Sequence, residues 1–145
     1  QYAGISSSAD WYFNKVKNLN YDYIGISYYP VYHGTSLADV KTKLTALSQN
    51  FNKKILIAET SYPFTLGYND WTNNVVGQNN QLIAGYDASP AGQKSYILAI
   101  KSLVKSVPSK VTKQPMVLLG KTKPFGILIT MLWKESKHLI KIDNN

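Results

Sequence analysis

Two patterns of hydrophobic and polar residues run along the first part of the chain, and each predicts one kind of element. In three stretches apolar residues recur every three or four positions, which is the spacing of an amphipathic helix. Two shorter stretches are β-branched and apolar almost without interruption, as in strands of a parallel sheet that is covered on both faces. The predicted order is helix, strand, helix, strand, helix, over residues 8–18, 22–28, 36–49, 54–59 and 89–107. This order is typical of consecutive βα units whose strands pair in parallel.

Residues with capping chemistry lie at the predicted helix ends. Thr35 or Ser36 can cap the second helix, and Ser89 followed by Pro90 suits the start of the third. Between the second strand and the third helix, residues 60–88 show no helical or strand period. Loops of this length are uncommon in compact domains and often carry function.

Glu59 closes the second predicted strand and directly precedes this loop. In barrels and open α/β sheets, chemistry takes place at the carboxyl ends of the strands. A carboxylate at the end of a buried strand is costly to desolvate, so it must be paired, hydrogen-bonded or chemically active. The local pattern leaves both readings open: a structural carboxylate that accepts from a loop amide or pairs with a lysine, and a catalytic one.

Aromatic residues follow both predicted strands. They are Tyr28, Tyr29, Tyr32 and His33 after the first strand, and Tyr62, Phe64, Tyr68 and Trp71 after the second. Aromatic faces combined with hydroxyl and indole donors suit sugars, whose rings present C–H faces rimmed by hydroxyls. Core packing explains the same residues equally well, so the pattern alone leaves sugar binding as one of two readings.

The net charge of +8 lies almost entirely in the last third of the chain. Residues 1–100 hold seven lysines against six acids, whereas residues 101–145 hold nine lysines against two acids, and arginine is absent. The predicted folded part is therefore nearly neutral. It also lacks arginine, the side chain that most often forms paired hydrogen bonds with guanine and phosphate, so nucleic-acid binding is disfavoured. Cysteine is absent, and no apolar run is long enough to span a membrane.

Two longer motifs carry a family resemblance: YDYIGISYYPVYHGTSL at residues 21–37 and KKILIAETSYPFTLGYNDW at residues 53–71. They closely resemble the sixth and seventh strand regions of glycoside hydrolase family 53, the arabinogalactan endo-β-1,4-galactanases. The opening QYAG resembles the end of strand five, so the resemblance covers residues 1–108. It implies an α/β fold that is part of a (β/α)₈ TIM barrel, from the end of strand five through helix seven, with strand eight missing.

The resemblance also implies an activity, namely retaining endo-hydrolysis of β-1,4-galactosidic linkages in galactan and arabinogalactan, the side chains of pectin. Glu59 takes the role of the nucleophile, and the residues implied to shape the sugar subsites are Tyr28, Tyr29, Tyr32, His33 and Trp71. Retaining hydrolysis needs two carboxyl groups about 5 to 5.5 Å apart. Because the family's acid/base glutamate lies upstream of Gln1, we expect this chain to be inactive alone. A non-catalytic carbohydrate-binding fragment is the alternative.

No cofactor is implied. Some bacterial relatives bind calcium after strand seven, and the matching positions here are Tyr68, Asp70, Thr72 and Asn74. Two oxygen ligands of four are too few for calcium, so we expect no metal site. The expected partner is the galactan polysaccharide, with no nucleic acid and no membrane span. We expect the full-length enzyme to be a monomer located outside the cell, on its surface or in the periplasm, with any export signal upstream.

Residues 109–145 lack the family's motifs and form the second segment of the chain. We interpret this segment as a frameshifted tail, because the codons from Lys110 onward, shifted by one base, can spell a peptide similar to the family's segment after strand eight. A polyanion-binding tail is the less favoured reading. For residues 1–108 we expect two unpaired sheet edges, which promote aggregation or a molten state in isolation.

Overall fold

The computed structural model describes residues 2–5, 7–67, 75–108 and 129–130. The strands are β1 (Tyr2–Ala3), β2 (Tyr23–Ser27), β3 (Lys54–Thr60) and β4 (Ile129–Thr130). The α-helices are α1 (Ser7–Val16), α2 (Pro30–His33), α3 (Leu37–Phe51) and α4 (Pro90–Lys105), and a short 3₁₀ helix covers Asn79–Gln81. None of the helices in the described ranges is long and apolar enough to cross a bilayer.

The four strands form one sheet in the order β1-β2-β3-β4. β1 pairs in parallel with β2, and β2 with β3, which confirms the predicted parallel arrangement. β4 pairs with β3 in the antiparallel direction, with Thr130 opposite Glu59. β1 covers the outer side of β2 over two residue pairs, and β4, from the segment assigned to the tail, covers that of β3, so among the described residues the two edges of the sheet are the short strands β1 and β4.

One face of the sheet is covered by α3 and α4 and forms the core. Ile24 and Ile26 of β2 lie opposite Ile55 and Ile57 of β3, and all four are buried. They belong to one apolar cluster with the inward residues of the two helices, which are Val40, Leu44, Leu47, Ile100 and Val104. Burial of these side chains is the main favourable free-energy term that holds the sheet to its helices.

A β-bulge interrupts β3 immediately before Glu59. Ile26 pairs with Ile57, but the next residue, Ser27, pairs with Glu59, so Ala58 is an extra residue without a partner in β2. Successive residues of a regular strand point to opposite faces, which would place Glu59 on the helix-covered face with Ile57. Because the bulge adds one residue, Glu59 falls instead on the opposite face of the sheet, in register with Ser27.

The caps of α3 and α4 follow the predicted chemistry, α1 begins at Ser7, one residue before its predicted start, and one element was not predicted. Ser36, not Thr35, caps α3 by accepting from the N–H of Asp39, and Ser89 caps α4 by accepting from the N–H of Gly92. The short helix α2 begins at Pro30 and was not predicted. Its signal is present in the sequence, because proline favours the first position of a helix and Gly34 follows its last residue.

Tyr62 holds the two ends of the long loop together. Its buried hydroxyl accepts from the N–H of Ile83 at 2.9 Å and donates to the carbonyl of Tyr86 at 2.7 Å. The Tyr62 carbonyl accepts from the side-chain amide of Gln93 in α4 at 2.6 Å. Next to it, the hydroxyls of Thr60 and Tyr96 are 2.6 Å apart in a buried hydrogen bond, and the Tyr62 and Tyr96 rings stack with centroids 4.3 Å apart. The loop therefore leaves and rejoins the core at one anchored point.

Replacing Gly92 by alanine should destabilise the fold. A Cβ at Gly92 would collide with the backbone carbonyl of Asp87, an atom that no side-chain rotation can move away. We expect the free energy of unfolding to fall by about 1–3 kcal/mol, the usual cost of forcing an extra methyl into a packed site. Urea unfolding followed by circular dichroism measures this change. The control is Ser95→Ala on the exposed side of the same helix, and an equal effect of both variants would contradict the prediction.

Candidate active site

The candidate site lies where β2 and β3 end, at the same edge of the sheet. Glu59, the second-last residue of β3, is half-buried, and Tyr29 follows β2 by two residues. The Tyr29 hydroxyl donates to Oε2 of Glu59 at 3.0 Å. The backbone N–H of Tyr28 donates to the Glu59 carbonyl at 2.8 Å, so the two strand ends are joined by a backbone hydrogen bond as well as by this side-chain contact. The sequence-predicted residues Tyr29 and Glu59 are thus brought together.

The phenol of Tyr29 is held in its neutral, donating form. Burial raises the pKa of Tyr29 to about 12, and the hydrogen bond to Glu59 and the negative charge of that carboxylate act in the same direction. A phenol that stays protonated can only donate to a carboxylate, and hydrogen bonds to an ionised acceptor are the strong ones. Tyr29 therefore serves as a constant donor that orients the Glu59 carboxylate.

Two hydrogen bonds fix Tyr28 and Tyr29, one each, to the last residue of α2 and its C-cap. The Tyr28 hydroxyl donates to the carbonyl of Gly34 at 2.8 Å, and Nδ1 of His33 accepts from the backbone N–H of Tyr29 at 2.9 Å. The Tyr28 side chain has no exposed surface, and burial raises the pKa of its phenol. Tyr28 therefore supports the turn from inside and offers no surface to a sugar in this structure.

Tyr32 and His33 form an aromatic group with Tyr29 beside the carboxylate. Tyr32 is 69% exposed, and its ring meets those of Tyr29 and His33 edge-on at centroid distances of 6.4 and 6.3 Å. His33 is half-buried, and desolvation lowers its pKa, which favours the neutral imidazole. An exposed ring next to an oriented carboxylate is a suitable platform for the C–H face of a sugar.

Several predicted site positions lie outside the described residues. They are Trp71, predicted to bind substrate, and Tyr68, Asp70, Thr72 and Asn74, compared above with a calcium-binding run. Within the described ranges, no group of three or more histidine, cysteine, aspartate or glutamate side chains is arranged to hold a metal ion.

A carboxylate at the carboxyl edge of parallel strands, oriented by Tyr29 and close to the exposed ring of Tyr32, is compatible with an α/β enzyme that acts on carbohydrate. The sequence profile described as Glycosyl hydrolase family 53 matches residues 3–114. The chain therefore belongs to glycosyl hydrolase family 53, a family of (β/α)₈ TIM barrels, which confirms the resemblance seen in its motifs.

Individual relatives agree with this assignment. The chain is 37% identical over 102 residues to the arabinogalactan endo-β-1,4-galactanase of Cellvibrio japonicus, covering 68% of this chain and 27% of the relative. It is 34% identical over 89 residues to the endo-β-1,4-galactanase of Bacillus subtilis, covering 61% of this chain and 20% of that protein. The solved GH53 catalytic domain of Ignisphaera aggregans superposes with a TM-score of 0.57 at 36% identity, over 72% of this chain and 31% of that structure. The chain thus spans less than a third of the length of each.

Proposed function

We propose that Glu59 is the nucleophile of a retaining endo-β-1,4-galactanase, with its acid/base partner supplied by a part of the barrel outside this sequence. The hydrogen bond from the neutral Tyr29 phenol to Glu59 Oε2 is the observation that carries the proposal. It orients a half-buried carboxylate at the edge where the reaction of a (β/α)₈ barrel takes place. The galactanase names of the relatives from Cellvibrio japonicus and Bacillus subtilis support galactan as the substrate.

In the first step a Glu59 carboxylate oxygen attacks the anomeric carbon, and the bond from that carbon to the glycosidic oxygen breaks. The acid protonates the departing oxygen, so the leaving sugar becomes neutral. In the second step the acid/base partner, now ionised, takes a proton from water. The water oxygen then displaces Glu59 from the anomeric carbon. Tyr29 donates to the carboxylate before attack and again as it departs, when the negative charge returns to it.

A second carboxyl group is needed about 5 to 5.5 Å from Glu59. The residues that directly follow β2 and β3, at positions 28–30 and 61–63, include no acid. Of the other described acids, Asp10 and Asp39 lie in the first turns of α1 and α3, Asp22 precedes β2, and Asp87 lies two residues before the cap of α4. The proposal therefore places the acid/base on another strand of the barrel, and the isolated chain should not turn over galactan.

The test restores a complete barrel. In a chimera, residues 3–108 of this chain replace the aligned segment of the Cellvibrio japonicus galactanase, which supplies the remaining strands. A 2-deoxy-2-fluoro-galactobioside with a good leaving group should form a stable ester on the nucleophile, because the fluorine slows both steps whereas the good leaving group speeds only the first. We expect mass spectrometry of the digested chimera to locate the adduct on Glu59. An adduct on any other residue would overturn the proposal, and an unlabelled parent enzyme would show that the reagent itself is unsuitable.

A further inference from the structure

The imidazole of His33 lies between two strand ends. On one side its Nδ1 accepts from the backbone N–H of Tyr29 at 2.9 Å. On the other side Nε2 faces Gly4, where a Cβ would lie only 3.2 Å away. Gly4 directly follows β1, adopts φ +103°, and donates its N–H to the carbonyl of Ser27 at 2.9 Å. His33 therefore lies beside the end of β1 and is linked through Tyr29 to Glu59 at the end of β3.

We propose that His33 is a positioning residue for the nucleophile and that it acts through Tyr29. The inference rests on the function proposed above. Tyr29 is the N-cap residue of α2, with φ −122° and ψ 114°, and no side chain caps the helix from that position. Because His33 accepts the Tyr29 N–H, it satisfies this backbone donor and holds the residue in the conformation from which its phenol reaches Glu59.

The role requires one form of the imidazole. Nδ1 can accept only when it carries no proton, so the neutral ring must carry its proton on Nε2. Burial lowers the pKa of His33 and so favours the neutral ring. The aromatic rings next to it among the described residues are those of Tyr28, Tyr29 and Tyr32.

Two substitutions distinguish loss of the hydrogen-bond acceptor at Nδ1 from loss of the imidazole ring itself. In His33→Asn the side-chain oxygen can occupy the place of Nδ1, whereas the longer side chain of His33→Gln places its amide near the former Nε2. Loss of the acceptor should lower kcat of the chimera on galactan by about tenfold in His33→Gln, the factor that corresponds to about 1.4 kcal/mol. His33→Asn should recover most of that loss, with KM changed by less than about twofold in both variants. Equal losses in the two variants would overturn the proposal.

A double-mutant cycle tests whether His33 acts through Tyr29. In a Tyr29→Phe background the phenol is gone, so adding His33→Gln should change kcat by less than about twofold. If the two single losses multiply in the double variant, His33 acts by another route and the inference fails. Failure of the proposed function has a different signature, since it would appear as an unchanged kcat in Glu59→Ala.

The tautomer of His33 can also be measured directly on the unaltered protein, without an activity assay. Nitrogen-15 NMR of the imidazole should show the neutral ring with its proton on Nε2 and an acceptor at Nδ1. The His33 signals are identified by their absence in His33→Asn, which distinguishes them from those of His138. A neutral ring with its proton on Nδ1 would overturn the proposal.

Discussion

Replacing Glu59 by alanine in the chimera is expected to lower kcat on galactan by about 10⁴-fold or more, because no covalent intermediate can then form. The side chain is half-buried at the surface edge of the sheet, so its removal should leave the fold intact. Initial rates measured on galactan, with thermal unfolding measured in parallel, test both expectations. Asp22→Asn, which neutralises an exposed carboxylate before β2, is the matched control and should keep the parent rate. A Glu59→Ala chimera that is stable and still cleaves at an ordinary rate would refute the assignment.

The shortened side chain also offers a stereochemical readout. It leaves space beneath the sugar into which azide can enter and attack the anomeric carbon of an activated aryl β-galactobioside. A single displacement inverts the configuration, so the product should be the α-galactosyl azide, whereas the unaltered chimera gives a β-configured sugar by two displacements. NMR of the product distinguishes the two. A β-azide from the variant would indicate that another nucleophile had taken part.

Replacing Tyr29 by phenylalanine is expected to give the second largest loss, about 10²-fold in kcat. The substitution removes the 3.0 Å hydrogen bond to Oε2 and keeps the ring, so the carboxylate loses the donor that orients it and stabilises its charge as it departs. Losses of this size are usual when one preorganised donor to a developing negative charge is removed. Steady-state kinetics on galactan and on an activated aryl galactobioside measure the effect.

The control for Tyr29→Phe removes the hydroxyl of a tyrosine that lies away from the site. Tyr23 is the first residue of β2, at the end of the strand opposite to Tyr29. Tyr23→Phe should leave kcat within about twofold of the parent, as surface substitutions away from a site usually do. If both variants lose activity equally, the loss reflects general destabilisation and not the contact with Glu59.

The elements of the fold were largely predictable because their signals are local. The three longer helices, the two central strands and the parallel pairing follow from hydrophobic spacing and from cap residues such as Ser36 and Ser89. The pairing of β4 with β3 joins residues that are far apart in the chain, so no local pattern could predict it. The short helix α2 was missed although Pro30 and Gly34 mark its ends.

At the site, residue types were predictable but their contacts were not. Glu59 stands out as the acid at the end of an apolar strand, and both it and Tyr29 were identified in advance. The face on which Glu59 lies depends on the bulge at Ala58, which is a property of the pairing with β2. The bulge cannot be seen in the pattern of apolar residues along β3. Adjacent tyrosines also look alike in sequence. Only the fold separates Tyr28, which is fully buried, from Tyr29, which reaches the carboxylate.

The double hydrogen bond of Tyr62 bears on how such enzymes diversify. Because one phenol joins Ile83 and Tyr86 to the end of β3, the stretch between Tyr62 and Ile83 begins and ends at neighbouring points of the scaffold. Insertions, deletions or whole-segment grafts in that stretch would leave β3 and α4 undisturbed, since the closure entropy of a loop grows only slowly with its length. Under the proposed function, changes in this stretch would alter which polysaccharide branches are accommodated without touching Glu59 or Tyr29.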